Sequence, residues 1–308
     1  MPKESKIAPM SPPRPSANAI LGAVLAFGLW GVLPVYWKQI GHLGSDVALA
    51  QRVVWTMATV LPLLMLRGEW TAFLQSLRNR KLIQTHAWSA FLLAINWGVF
   101  VWAAQHGRIL DCSLGYFINP LLNVLIGSYL LGERLTGLQK LSIASAAAGV
   151  AMQIVLVGRF PWIGLLLAGS FALYGLARRR SPLGSLPGLA VETVVGIPVA
   201  VLYLLWSHHS GAAIWGASST RDLLLILGLG IITTIPLLGF ARGARELPFA
   251  LLGLLQFLAP TGQFLIGSLV YGESVNAASL VSFGLIWTGV ALFCGNLFLH
   301  ARRSQVRA

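Results

Sequence analysis

Charge is what this sequence has least of. Nine Asp and Glu and 22 Lys and Arg stand in 308 residues, so 10% of the chain is charged, against roughly 25% in soluble domains. That is too little to cover a water-facing surface, which excludes an ordinary soluble globule. Cysteine is almost absent. Cys112 and Cys294 both lie in apolar runs, a pattern of small buried hydrophobes, with no disulfide framework, metal spacing or redox motif. There is no G-x-x-x-x-G-K-[ST] phosphate loop, no H-E-x-x-H, no G-x-S-x-G and no pair of Asp within an apolar run. ATP hydrolysis and intramembrane catalysis are therefore not expected, and neither is a metal or cofactor.

What the chain has is apolar length: 56% of it is hydrophobic. A membrane-spanning helix needs about 20 apolar residues. On that measure ten spans are predicted, at 18–37, 47–66, 84–105, 110–131, 138–157, 161–177, 187–206, 222–241, 250–271 and 276–298. They are twice the length of barrel strands and do not alternate, so an all-α integral membrane protein is expected. The polar, proline-rich residues 1–17 are predicted to be a disordered tail, and 299–308 a basic one. The first apolar run is too long for a signal-peptide core and is taken as a retained span.

The loop charges agree with an even number of spans. With the N-terminus inside, cytoplasmic segments hold 17 basic residues, outer loops hold four (Lys38, Arg108, Arg159, Arg221), and Arg52 lies within a span. Basic residues favour the cytoplasmic side, so both termini are expected there. The basic excess belongs to these loops, and a nucleic-acid partner is not expected.

A repeat organises the spans. At a constant shift of 140, residues 115–135 overlay 255–275 with eight identities in 21 positions, among them Pro120/Pro260, Gly132/Gly272 and Glu133/Glu273. The same shift carries Phe100 onto Phe240 and Gly149-Val150-Ala151 onto Gly289-Val290-Ala291. The unit is five spans, 18–157 and 158–298. Five is odd, so the second copy enters from the opposite face. Such 5+5 inverted repeats are a mark of secondary transporters, with a site near the midplane.

The polar residues inside the spans are the candidate site. Tyr116, Asn119 and Asn123 fall within about 60° of one another on a helix; Gln256 and Gln263 occupy the same phase in the second copy. One membrane amide is ordinarily helix–helix glue; matched stripes favour a shared substrate cavity. Asn96 and Trp97 at mid-depth, Trp30 and Tyr174 beside glycines, and Thr234 join it as solute-binding candidates. Pro120, Pro236 and Pro260 are expected helix breaks, since each frees the carbonyl four residues earlier. Trp37 and Trp206, at span ends, are expected interface anchors. Arg52 and its repeat mate Glu192 each lie about five residues into a span, where a charge is costly. They are expected to act in gating or coupling, as charged gates at opposite mouths of the path, and not to pair. Gly132-Glu133 and Gly272-Glu273 are expected helix termini, with the glutamate capping the next helix. Ser145 and Gly149 form a small-xxx-small packing face for a neighbouring span or for a second copy, as in a homodimer.

The runs "INWGVFVWAAQHGRILDCSLGYFINPLLNVLIGSYLLGERL", "SFALYGLARR", "LPGLAVET" and "LLQFLAP" resemble the RarD-type permeases, a branch of the EamA group in the drug/metabolite transporter superfamily. The resemblance covers about residues 18–298. It implies a bacterial inner-membrane, multi-pass protein with alternating access and a cavity between spans 1, 3, 4, 6, 8 and 9. Spans 5 and 10 would be peripheral.

The expected function is gradient-driven export of small metabolites or drug-like solutes. At 100 mV, one translocated charge supplies about 2.3 kcal/mol. The alternative is a channel or lipid-translocating scaffold without alternating access. From the stripe alone, Asn119→Ala is expected to impair transport while leaving the unfolding midpoint nearly unchanged.

Overall fold

The computed structural model describes residues 16–40, 42–105, 109–157, 162–210, 219–270 and 277–306. The expected N-terminal tail, Gly272-Glu273, and the side chains of Cys294 and of the basic tail lie outside the described residues. Everything described is helix or short connection, with no strand. The helices are α1 (Ala17–Gln39), α2 (Ser45–Leu66), α3 (Trp70–Arg78), α4 (Arg80–Gln105), α5 (Ile109–Leu125), α6 (Gly137–Val157), α7 (Trp162–Arg180), α8 (Ser185–His209), α9 (Thr220–Glu246), α10 (Phe249–Leu255), α11 (Leu258–Leu265) and α12 (Ala277–Val306). One π-helical turn, Ile126–Leu130, follows α5 and another, Ile266–Val270, follows α11.

Local chemistry sets several ends. Ser16 caps α1 by accepting from the Ala19 amide at 3.1 Å. Ser219 caps α9 through the Asp222 amide, also at 3.1 Å. A side-chain oxygen at that position satisfies an amide with no partner in the first turn. Gly132 closes the first π turn at φ +69°, a left-handed conformation that glycine adopts at little cost. Among the described residues, five stretches are long and apolar enough to cross a membrane by length and composition: Ala17–Gln39, Asp46–Leu66, Ser185–His209, Thr220–Glu246 and Phe249–Val270. Apolar side chains such as Leu21, Leu25, Val199 and Leu202 are exposed, while Asn96, Asn119, Asn123 and Glu192 are buried. That reversal of the soluble pattern suits an all-α membrane protein.

The helix boundaries recur at the shift of 140: α2 starts at Ser45 and α8 at Ser185, and the π turns start at Ile126 and Ile266. The packing recurs too. α1 lies on α9 as α4 lies on α7, while α2 packs on α8 and α6 on α12. The α6–α12 contact is reciprocal at atomic detail. A Cβ on Gly149 would stand 2.7 Å from Ser282 O, and one on Gly289 2.5 Å from Ser142 O. Ser145 Oγ donates to Leu285 O and Ser282 Oγ to Gly149 O, each at 2.7 Å.

The expected breaks at Pro120 and Pro236 are corrected: both prolines sit inside helices that continue past them. One missing hydrogen bond is tolerated where neighbouring helices hold the backbone. Pro260 does follow an interruption, the turn at Gln256-Phe257 between α10 and α11. There the Gln256 carbonyl accepts from the Ala259 amide at 3.2 Å.

Gly289→Ala forces α6 and α12 apart and is expected to cost about 1–3 kcal/mol. Gly284→Ala in the same helix meets nothing within 4 Å and is expected to be neutral or slightly stabilising. Chemical unfolding of both variants in detergent checks the contrast.

Candidate functional site

Two cavities lie between the helices. The first is lined by α1 (Phe27, Trp30, Leu33, Pro34, Trp37), α4 (Asn96, Trp97, Phe100), Tyr116 of α5, Phe171 of α7, and Gln256, Ala259, Pro260 and Gln263 around the α10–α11 break. It holds about 70 Å³ of space open to the centre of a water-sized sphere. One water needs roughly 10–15 Å³ on that measure, so several waters or a small solute fit. The wall is mostly aromatic with a few amides, the usual make-up of a small-molecule site.

The sequence-predicted residues divide. Trp30, Asn96, Trp97, Tyr116, Gln256 and Gln263 line this chamber together. Gln263 Nε2 donates to Trp30 O at 3.2 Å and ties α11 to α1. Asn96 Nδ2 donates to Leu167 O at 2.8 Å and Ser170 Oγ at 3.1 Å, fixing α4 on α7. Asn119 and Asn123 are outside the lining. Asn119 Nδ2 donates to Ala168 O at 3.0 Å; Asn123 Nδ2 donates to Asn119 Oδ1 at 3.2 Å and to Gln256 Oε1 at 2.7 Å. The polar stripe is longer than the chamber, so only its Tyr116 end faces the cavity. Thr234 is fully buried on α9 and also outside the lining; its neighbour Thr233 lines the second cavity. Trp37 belongs to the chamber wall, where only an interface anchor was expected.

Below the chamber an aromatic layer closes the way. Phe171 and Phe240 have ring centroids 4.8 Å apart, and Tyr174 stacks on Phe240 at 5.8 Å and 15°. Beyond it lies Glu192, 4% exposed. Its Oε1 accepts from Ser89 Oγ at 2.6 Å and Arg178 Nη1 at 3.2 Å, and faces His86 Nδ1 at 3.1 Å. Its Oε2 accepts from Tyr174 OH at 3.3 Å. His86 Nε2 lies 2.8 Å from Ser181 Oγ. A buried carboxylate persists only when paired and hydrogen-bonded. Here groups from α4 and α7 converge on α8 and tie the three helices together.

Sequence reasoning missed His86, Ser89 and Arg178. Arg178 had been counted with Arg179 and Arg180 as a loop charge, yet it falls one turn after Tyr174 on the same face. That phase was the available signal.

Arg52 and Glu192 both line the second cavity, between α2, α4, α8 and α9, and the expectation that set them at opposite mouths is corrected. Both helices begin two residues earlier than predicted. Each charge is therefore the eighth residue, about 10 Å along its helix and deep enough to reach a common space. The lining itself comes in repeat-related pairs: Val53 with Thr193, Thr56 with Gly196, Leu93 with Thr233.

Glu133 accepts from the Phe249 amide at 2.7 Å and the Ala250 amide at 3.1 Å. It caps α10 of the other repeat and not the next helix, because Thr136 and Gln139 already box the start of α6 at 2.8 and 3.3 Å.

A bundle of apolar helices around an aromatic, amide-edged chamber is the architecture of a multi-pass membrane protein with an internal cavity. Comparison with known proteins makes the class specific. Residues 17–155 match the family model of the EamA-like transporter family. The chain is 40% identical to the uncharacterized transporter YojE of Bacillus subtilis, over 90% of this chain and 93% of that one. It is 37% identical to protein RarD of Streptomyces exfoliatus, over 92% and 90%, and 35% to protein RarD of Escherichia coli, over 94% and 97%. A solved crystal structure, 22% identical, shares the fold with a TM-score of 0.68 over 90% of this chain and 96% of that one. The chain belongs to the EamA-like transporter family, in its RarD-type branch.

Two outcomes follow from the buried contacts. Glu192→Gln strands the Arg178 guanidinium and is expected to destabilise by about 3–5 kcal/mol, with Arg178→Gln added to Glu192→Gln recovering much of the loss. Asn119→Ala removes the side-chain donor to the Ala168 carbonyl and one of the two acceptors of Asn123 Nδ2, which keeps Gln256. It is expected to lower stability by about 1–3 kcal/mol, a revision of the expectation drawn from the stripe alone. Urea unfolding in detergent measures both.

Proposed function

We propose that this chain is a secondary transporter that moves small apolar or amphipathic solutes by alternating access. In this account ten spans form two inverted five-helix repeats, with both termini in the cytoplasm of a bacterial cell and the chain in its inner membrane. The observation that carries it is the aromatic chamber, closed at one end by Phe171, Phe240 and the Glu192 cluster. With the N-terminus inside, that cluster lies on the cytoplasmic side and the chamber toward the outside, so the conformation faces outward. Breaking the cluster and closing the Trp37–Tyr116 end would turn the same chamber inward. Helix boundaries and packing that recur at a shift of 140 support a rocking motion of one repeat against the other. No ATP motif occurs in the chain, and ion or solute gradients supply the energy. The basic cytoplasmic loops and the aromatic wall are consistent with export.

The test is counterflow of a panel of small aromatic solutes in proteoliposomes. Protein-dependent exchange is expected, reduced about tenfold or more by Trp30→Ala or Gln263→Ala, whose side chains meet the chamber. Absence of protein-dependent flux across the panel would contradict the reading. A cysteine at Ala259 should react from one membrane side at a time; simultaneous labelling from both would favour a channel.

A further inference from the structure

The second cavity contains a buried cation, Arg52, whose Nε and Nη1 have no hydrogen-bond partner among the described residues. Arg52 is 7% exposed. What it does touch is Trp97, with the guanidinium carbon 3.9 Å from the ring centroid. A ring face attracts a cation but does not take up its N–H donors. Four residues along the same helix face, Thr56 Oγ1 is also buried and unpartnered, and it lines the same cavity.

The other charge on this cavity does not answer Arg52. Both oxygens of Glu192 are occupied by Arg178, Ser89, Tyr174 and His86. The Glu192–Arg178 pair is neutral by itself, so the guanidinium of Arg52 is left over. The repeat makes the asymmetry plain. At the shift of 140, Glu192 corresponds to Arg52 and Arg178 to Lys38. Lys38 is exposed and outside the cavity lining, so Arg52 is the base at the position where the other half has its acid.

We infer that the second cavity is an anion site, in which Arg52 and Thr56 bind the carboxylate of a small organic solute. This rests on the transport reading and gives its solute a charge. Hydroxyls join Arg52 in the cavity wall: Thr56, Thr193 and Thr233 all line it. A planar guanidinium with free N–H groups matches a carboxylate's two oxygens. Trp97, shared between the Arg52 contact and the chamber wall, is the partition across which the carboxylate end and an apolar body would lie. The bound carboxylate takes in this repeat the part that Glu192 plays in the other.

Isothermal titration of the full chain in detergent tests this, with sodium benzoate, sodium acetate, neutral benzamide and sodium chloride as probes. Benzoate is expected to bind, with benzamide weaker by about tenfold or more, the loss of charge-assisted hydrogen bonds. Arg52→Gln should weaken benzoate by a similar factor, and Arg52→Lys by less. Equal binding of benzoate and benzamide would overturn the proposal, and that comparison needs no variant to fold. Benzoate affinity unchanged within about twofold in a folded Arg52→Gln protein would overturn it too. Chloride binding with both carboxylates inert would replace the organic solute by an inorganic ion and so overturn the assignment. Benzoate bound through Arg52 without flux in proteoliposomes would sink the transporter reading and leave the site. Flux of neutral solutes without carboxylate binding would do the reverse.

Discussion

A carboxylate cannot sit bare among apolar helices, and Glu192 sits there. Everything around it answers that constraint. Arg178 turns inward from a run of three arginines, Tyr174 directs its hydroxyl up from the aromatic layer, and His86 with Ser89 reaches across from the first repeat. The four groups come from two helices, α4 and α7, and converge on a third, α8. The cluster is the charged member of a set of polar fastenings that also includes Asn96 on Leu167 and Ser170, and Asn123 on Gln256. It closes one end of the path, and Phe171 and Phe240 stack on it to make the chamber floor. Because its partners come from α4 and α7, any motion of α4 against α7 and α8 must break or remake these bonds.

At a shift of 140 the starts of several helices recur, but the charges do not. Gly149 and Gly289 let α6 and α12 approach until each glycine faces the other helix's serine carbonyl, a contact that looks the same from either side. The centre is different. One repeat holds its acid–base pair internally, whereas the other presents Arg52 against Trp97. A membrane protein with so few charges does not bury an unmatched one without use. Structural likeness at the periphery and chemical unlikeness at the centre would serve the alternating access proposed above: equivalent packing and inequivalent faces toward the solute.

Much of this was legible in the sequence. The shift of 140 read from the sequence recurs in the starts of α2 and α8, α4 and α9, α5 and α10, and α6 and α12; the two π turns, which share that shift, were not foreseen. Trp30, Asn96, Trp97, Tyr116, Gln256 and Gln263 could be named as cavity residues, since polar groups in an apolar span face inward and the two indoles share their depth or stand beside glycine. Asn119 and Asn123 could not be separated from Tyr116, because helical phase fixes a direction and not the height at which a cavity ends. The partners of Glu192 were hidden for another reason. A buried ion pair joins residues far apart in the chain, and a basic run at a helix end looks like any cytoplasmic loop until the helix is docked. Prolines misled in the other direction: a helix held by its neighbours keeps its course past Pro120 and Pro236.

The central claim is that opening at the Glu192 end is coupled to closing at the other. Pulsed electron-paramagnetic-resonance distances in a cysteine-free background measure this directly. One spin-label pair would join Lys81 to Arg242 near the cluster, and the other Gln39 to His209 at the far end. When Glu192→Gln and Arg178→Gln remove the cluster, the account predicts a longer distance for the first pair and a shorter one for the second. Distributions that stay unchanged, or that lengthen together at both ends, would contradict it.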